Sequence, residues 1–201
     1  VDTGNRGSLQ GAFRSHQPAQ PTLPEQGQFE IAWSDLDAGM LKPWLHRALD
    51  LQGSIAGQLK GKLLPARSLQ IAANTRLTHG RLTWKGEEGE IFTRAAKAEV
   101  DLNWHDTTLK GNLAIALLNS NLKASFELPL PARFPIMMQP EGAVKLTAKG
   151  EVFEKGLLTA IFPGIIGESP GRLGFEIASG GTWHNPDLKG SVRLTGAGAY
   201  L

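Results

Sequence analysis

The chain contains no cysteine among its 201 residues, which excludes disulfides, thiol nucleophiles and Cys-ligated zinc. No run of roughly eighteen apolar residues occurs, so no segment of this sequence reads as a membrane-spanning helix. An excess of one charge is missing too: 21 Lys and Arg face 19 Asp and Glu, for a net charge of +2. The basic residues Lys60, Lys62, Lys97, Lys110 and Lys123 are scattered singly rather than gathered into a stripe, which speaks against nucleic acid as a partner. No signal peptide is visible, and the chain reads as a fragment of something longer.

The residue patterns of catalysis are missing as well. His16, His46, His79, His105 and His184 show no metal-ligand spacing, and none has a carboxylate beside it in a ligating pattern. Asp101, His105 and Asp106 read as a surface cluster, with His105 and Asp106 pointing to opposite faces of a strand. Ser54, Ser120, Ser125, Ser169 and Ser179 stand outside any Gly-x-Ser-x-Gly elbow. Glu87-Glu88 reads as solvated charge in a turn, and Gly196-Ala197-Gly198 lacks the Lys-Ser/Thr of a phosphate loop. The sequence therefore reads as a non-enzyme that needs no cofactor and no metal.

What is present is alternation. Phe29, Ile31 and Trp33 share one face of a strand, because side chains repeat every second residue. The same row-forming pattern recurs as Leu69, Ile71, Ala73, Thr75 and Leu77, and as Ala98, Val100, Leu102 and Trp104. Leu109, Leu113, Ile115 and Leu117 follow, then Leu122, Ala124, Phe126, Leu128 and Leu130, with a tight hairpin at Asn119-Ser120-Asn121. Val144, Leu146 and Ala148, then Leu173, Phe175 and Ile177, then Leu188, Val192 and Leu194 complete about ten antiparallel strands by this period-two count. Thr78-His79-Gly80, Gly89 and Asn185-Pro186-Asp187 are expected to reverse the chain. Residues 17–26, with three prolines, read as a linker, and Pro129, Pro131, Pro135 and Pro140 as a break between two sheet regions.

Two segments depart from the period. Residues 36–49 place apolar side chains three and four apart, with Ser34 or Asp35 as cap and Pro43 opening a second short helix. Met40, Leu41, Trp44 and Leu45 are expected to pack on the apolar side of the sheet and partly plug it. Residues 157–166 repeat the pattern. Each segment leads to a glycine and a strand, so that Ile55, Gly57 and Leu59 superpose on Leu173, Phe175 and Ile177. This is an approximate internal repeat, over residues 33–130 and 153–201 of one β domain.

Every strand thus offers one apolar face. A sheet of this width hides it by folding into a sandwich, by closing into a barrel, or by curling so that an apolar trough stays open. Trp33, Trp44, Trp84, Trp104 and Trp183 read mainly as core. A closed sandwich that binds carbohydrate through Trp183 or Trp84, or serves as an adhesin repeat, is one alternative.

The stretch from Ser169-Pro170-Gly171-Arg172-Leu173 through Thr182-Trp183-His184-Asn185-Pro186 to Leu188-Lys189-Gly190 adds a more specific pointer. Together with the Leu-rich residues before it, it resembles the repeat unit of the TamB family of AsmA-like bacterial envelope proteins. The match covers residues 154–201, extends to 33–63, and elsewhere rests on alternation alone. The resemblance implies an all-β fold: an elongated, curled antiparallel sheet, a taco-like half-barrel with an apolar concave face and one or two short helices. It further implies the periplasm as the location, within a protein anchored in the inner membrane of a Gram-negative bacterium. Its implied partners are phospholipid, an outer-membrane β-barrel of the TamA type and unfolded outer-membrane protein strands. On that reading the groove is lined by Leu69, Ile71, Val100, Leu102, Leu109, Leu113, Ile115, Leu117, Leu122, Phe126, Leu128, Val144, Leu146, Leu173, Phe175, Ile177, Val192 and Leu194. A second role would be to accept client strands at a free sheet edge.

Overall fold

Alternating segments joined by short turns can satisfy their backbone groups by pairing with the next segment in sequence, and the chain does this throughout. The computed structural model describes residues 7–15, 26–45, 47, 49–86, 89–153 and 171–196. It holds one ten-stranded antiparallel sheet in which each strand is hydrogen-bonded to its neighbour in sequence. The strands are β1 (Ser8–Ser15), β2 (Gly27–Asp37), β3 (Leu49–Leu64), β4 (Ser68–Gly86) and β5 (Gly89–His105), followed by β6 (Thr108–Leu117), β7 (Asn121–Leu128), β8 (Lys145–Val152), β9 (Arg172–Gly181) and β10 (Pro186–Thr195). Among the described residues β1 and β10 do not pair with each other and stand at the two edges. At ordinary strand spacing the path along the sheet from one edge to the other is on the order of 40 Å. No second sheet faces this one among the described residues.

Directly paired residues lie on the same face, so the register sorts every side chain. One row runs Leu9, Trp33, Gly57, Thr75, Val100, Leu113, Ala124, Ala148, Ile177. A row on the other face, three residues along the strands, contains Glu30, Lys60, Ala72, Asn103, Lys110, Glu127 and Lys145. The first face is apolar and the second charged, as alternation requires.

Several expectations need correction. Thr78-His79-Gly80 is not a reversal; it lies inside the 19-residue strand β4. His79 has φ 53 and Gly53 across from it has φ 136, and the register of β3 on β4 slips between Gln52 and Ser54. This is a β-bulge, which moves the apolar set of β4 from Leu77 to Leu82 without turning it outward. The segment bearing Pro129, Pro131, Pro135 and Pro140 does not separate two sheet regions, because β7 and β8 on either side of it pair directly. The first helical segment is a 3-10 turn, Ala38–Trp44, capped by Asp37 rather than Ser34 or Asp35, with Pro43 inside it. The Asp37 carboxylate accepts from the Gly39 amide at 2.9 Å, which satisfies a donor at the start of the turn. The expected helix at residues 157–166, the turn at Glu87-Glu88 and most of the 17–26 linker lie outside the described residues.

Candidate functional site

The residues expected to line a groove all fall on the apolar face. On β4 and β5 these are Leu69, Ile71, Val100 and Leu102; on β6 and β7, Leu109, Leu113, Ile115, Leu117, Leu122, Phe126 and Leu128. Val144 precedes β8, and Leu146, Leu173, Phe175, Ile177, Val192 and Leu194 continue the same face to the far edge. From β2 to β9 the described apolar-face side chains are buried or half-buried, with Leu146 the exception. On the edge strands Leu9, Phe13, Leu188, Val192 and Leu194 are exposed.

The burial is not uniform along the strands. Between the end of β2 and the start of β3 the 3-10 turn folds over the face, above the middle of β4. Ala38 there is fully buried with Ile55, Leu77 and Ala95, and Trp33, Leu36, Leu41, Leu51 and Leu117 pack around them. Leu41 therefore packs as expected, Leu45 is half-buried, and Met40 instead points to solvent. Trp44's side chain lies outside the description.

Near the start of β4 and the end of β5, residues 129–134 cross the same face as a strap. The indole Nε1 of Trp104, itself on the apolar face, donates to the Leu130 carbonyl at 2.8 Å. The Ala132 amide donates to Asp106 O at 2.8 Å, and the Leu69 amide to Ala132 O at 2.7 Å. Leu69, Ala132 and Val144 are buried at this rim. Between the turn and the strap lies an apolar floor with no covering layer among the described residues, to which the half-buried Val100, Leu102, Leu113 and Phe126 contribute.

The floor has a recurrent construction: a glycine lies under the aromatic ring of its cross-strand partner. Phe29 pairs with Gly61, Trp33 with Gly57 and Phe126 with Gly111. A Cβ on any of these glycines would overlap that ring. On β8 and β9, Gly150 pairs with Phe175, whose ring would press on an added Cβ. The rings thus lie along the floor instead of standing out of it.

The other face carries ladders of paired charge. Lys60 reaches Glu30 at 3.2 Å, and Glu127 sits between Lys110 at 3.5 Å and Lys145 at 3.8 Å. The Glu99 carboxyl is held below the usual carboxylate range, first by its hydrogen bond from Lys97, against an opposing desolvation, and then by Arg76. Depressions of about 540 and 520 Å³ open between these long side chains, one around Glu30, Lys60 and Gln70, the other around Lys123, Thr147 and Glu176.

Candidate chemistry elsewhere dissolves into structure. Buried Ser120 accepts from the Phe153 amide at 2.9 Å. His105 and Asp106 do not point apart: Asp106 has φ 52 in the β5–β6 turn, and its carboxylate lies 2.9 Å from His105 Nδ1. Among the described residues no group of three or more His, Asp or Glu could hold a metal ion. Nor is any described helix long and apolar enough to cross a membrane. Ile55, Leu59, Leu77 and Trp104 share this face but stand outside the expected groove lining, although Leu77 and Trp104 belong to the same alternating rows and Ile55 and Leu59 to the repeat strand. The strap carried no such signal, because its partners are far away in sequence. No family model, curated protein or solved structure matches the chain.

Proposed function

We propose that this chain is a non-enzymatic module that holds phospholipid acyl chains against its apolar floor. The reading places it in the periplasm, in an inner-to-outer membrane lipid transport and outer-membrane assembly machine of the TamB type, with a TamA-type barrel as partner. One observation carries the lipid reading: the apolar face continues across ten strands with no covering layer among the described residues, apart from the 3-10 turn and the strap, which each cover a part of it over the first strands and the middle ones. Contiguous apolar surface of this extent on a folded protein serves binding. Acyl chains need contact area and no specific polar partner, which suits a floor of Leu, Val, Phe and Gly. Headgroups would lie toward the open side, in water.

Protein purified without detergent should carry phospholipid detectable by native mass spectrometry. Repeated preparations from lipid-replete cells that carry none would overturn this reading.

A second reading is favoured by the edges. Every residue of β1 and of β10 is exposed, and among the described residues the order of paired strands ends at these two. Such an edge can accept an extended strand of an unfolded outer-membrane protein by backbone pairing. A proline in place of Ser191 would then abolish capture of a client peptide without releasing bound lipid.

A further inference from the structure

The rim that carries the strap also carries an apolar loop facing water. Past the strap, residues 134–140 contain no charged side chain. Phe134 is 49% exposed, Ile136 49% and Met137 68%, a run of apolar surface that the fold does not use. The strap holds the base of this loop, with the Phe134 amide donating to Arg67 O at 3.2 Å and Ser68 bridging Arg133. The exposed side chains of Arg67 and Arg133 therefore flank the apolar tip. The β9–β10 turn is tied to the other end of the loop through the Ala143–Thr182 bridge and a 3.1 Å contact between His184 Nδ1 and Glu141. That turn adds Trp183, 54% exposed, to the same rim. The acidic groups of this rim are engaged: Glu141 with His184, and Asp106 with His105.

We infer that residues 134–138 insert into the interfacial layer of an anionic phospholipid bilayer, with Arg67 and Arg133 on its headgroup phosphates. An uncharged tip of Phe, Ile and Met with an exposed Trp beside it matches the amphipathic character of that layer. The two guanidiniums supply bidentate donors for phosphate, and an anionic surface attracts them. The inference stands on this loop and does not require the floor to carry lipid.

The absence of cysteine makes the test clean. Met137→Cys and, on the charged face, Lys123→Cys are each labelled with an environment-sensitive fluorophore, and folding is confirmed by circular dichroism. They are mixed with vesicles of phosphatidylcholine containing a quarter phosphatidylglycerol, and with pure phosphatidylcholine. The label at position 137 should shift to the blue on the anionic vesicles, and the label at 123 should stay in water. Arg67→Glu with Arg133→Glu should weaken vesicle partition roughly tenfold or more, and Ile136→Asp with Met138→Asp should abolish the shift. An unmoved label at 137 overturns the inference, even if purified protein still carries phospholipid. A shift that appears without vesicles as protein concentration rises also overturns it and assigns the loop to self-association. An equal response to pure phosphatidylcholine overturns the assignment of the two arginines.

Discussion

At the scale of single residues, Gly61 and Gly111 of the apolar floor are fixed by the aromatic rings above them, not by unusual backbone angles. Gly61 and Gly111 should therefore tolerate no side chain: Gly61→Ala and Gly111→Ala should each destabilise the fold by about 1–3 kcal/mol, since the displaced rings have nowhere to go. Gly174 meets nothing within 4 Å of an added Cβ, so Gly174→Ala should leave the urea midpoint nearly unchanged. Comparable losses at all three positions would show that backbone freedom, not ring packing, is what matters. Gly181 is a different case, with φ 80 and the Asn185 carbonyl in the path of a Cβ, whereas neighbouring Gly180 is open. The charged face allows a pH test. Because Glu99 titrates below its ordinary range when folded, its ionised form stabilises the sheet above the unfolded carboxylate pKa, and that stabilisation is lost as pH falls through the folded value. Glu99→Gln should accordingly have a lower urea midpoint than the parent at pH 7, and the two should converge in acid, once the pH has fallen below the lowered pKa of Glu99. A gap that persists in acid would mean that packing, not charge, supports this position.

At the scale of elements, the 3-10 turn and the strap decide where the apolar face ends. Leu41 packs into the buried group of Ala38, Ile55, Leu77 and Ala95, so Leu41→Asp should lower the thermal midpoint by placing a carboxylate among them. Trp104→Phe keeps the ring on the floor but leaves the Leu130 carbonyl without its donor, a loss of about 1 kcal/mol. Hydrogen exchange should report that loss locally, with faster exchange at the Leu69 and Ala132 amides and little change at Leu113. Uniform acceleration across the sheet would mean that the strap is not a separable element. The strands themselves were legible in the sequence because alternation is a local property: Leu69 to Leu77 and Ala98 to Trp104 state their faces without any partner. The bulge at His79-Gly80 was not. Within a few residues, a positive φ followed by glycine looks the same in a reversal and in a bulge. Only pairing with β3 and β5 over the full length of β4 distinguishes them. A trace was present in the phase of the alternation, which passes from odd positions at Leu77 to even ones at Leu82. The strap was illegible for a similar reason, since Leu69, Trp104 and Asp106 give a proline-rich segment its hydrogen bonds from far away in the chain.

At the scale of the whole molecule, a sheet whose apolar face has no second layer among the described residues has to keep its strands together by other means. The long pairings of β3, β4 and β5 and the glycine-seated rings supply much of that cohesion, and both can persist with the floor empty. A charge placed in the middle of the floor then separates folding from binding. Leu113 is half-buried there, paired with Val100 on one side and Ala124 on the other. If the floor is open to water, Leu113→Asp keeps its carboxylate hydrated in the lipid-free protein, and the thermal midpoint should fall only slightly. If acyl chains cover that position in the cell, the same carboxylate must be desolvated under hydrocarbon, at several kcal/mol without a partner, and bound lipid should be lost. A photo-crosslinker at Phe126, on the floor two residues from Ala124, should capture phospholipid in the parent protein and fail to do so in Leu113→Asp. One at Lys123, on the charged face, should capture little in either. Unfolding of Leu113→Asp would instead reveal a covered core at this position. Equal capture at Phe126 and Lys123 would remove the floor from any role in holding lipid.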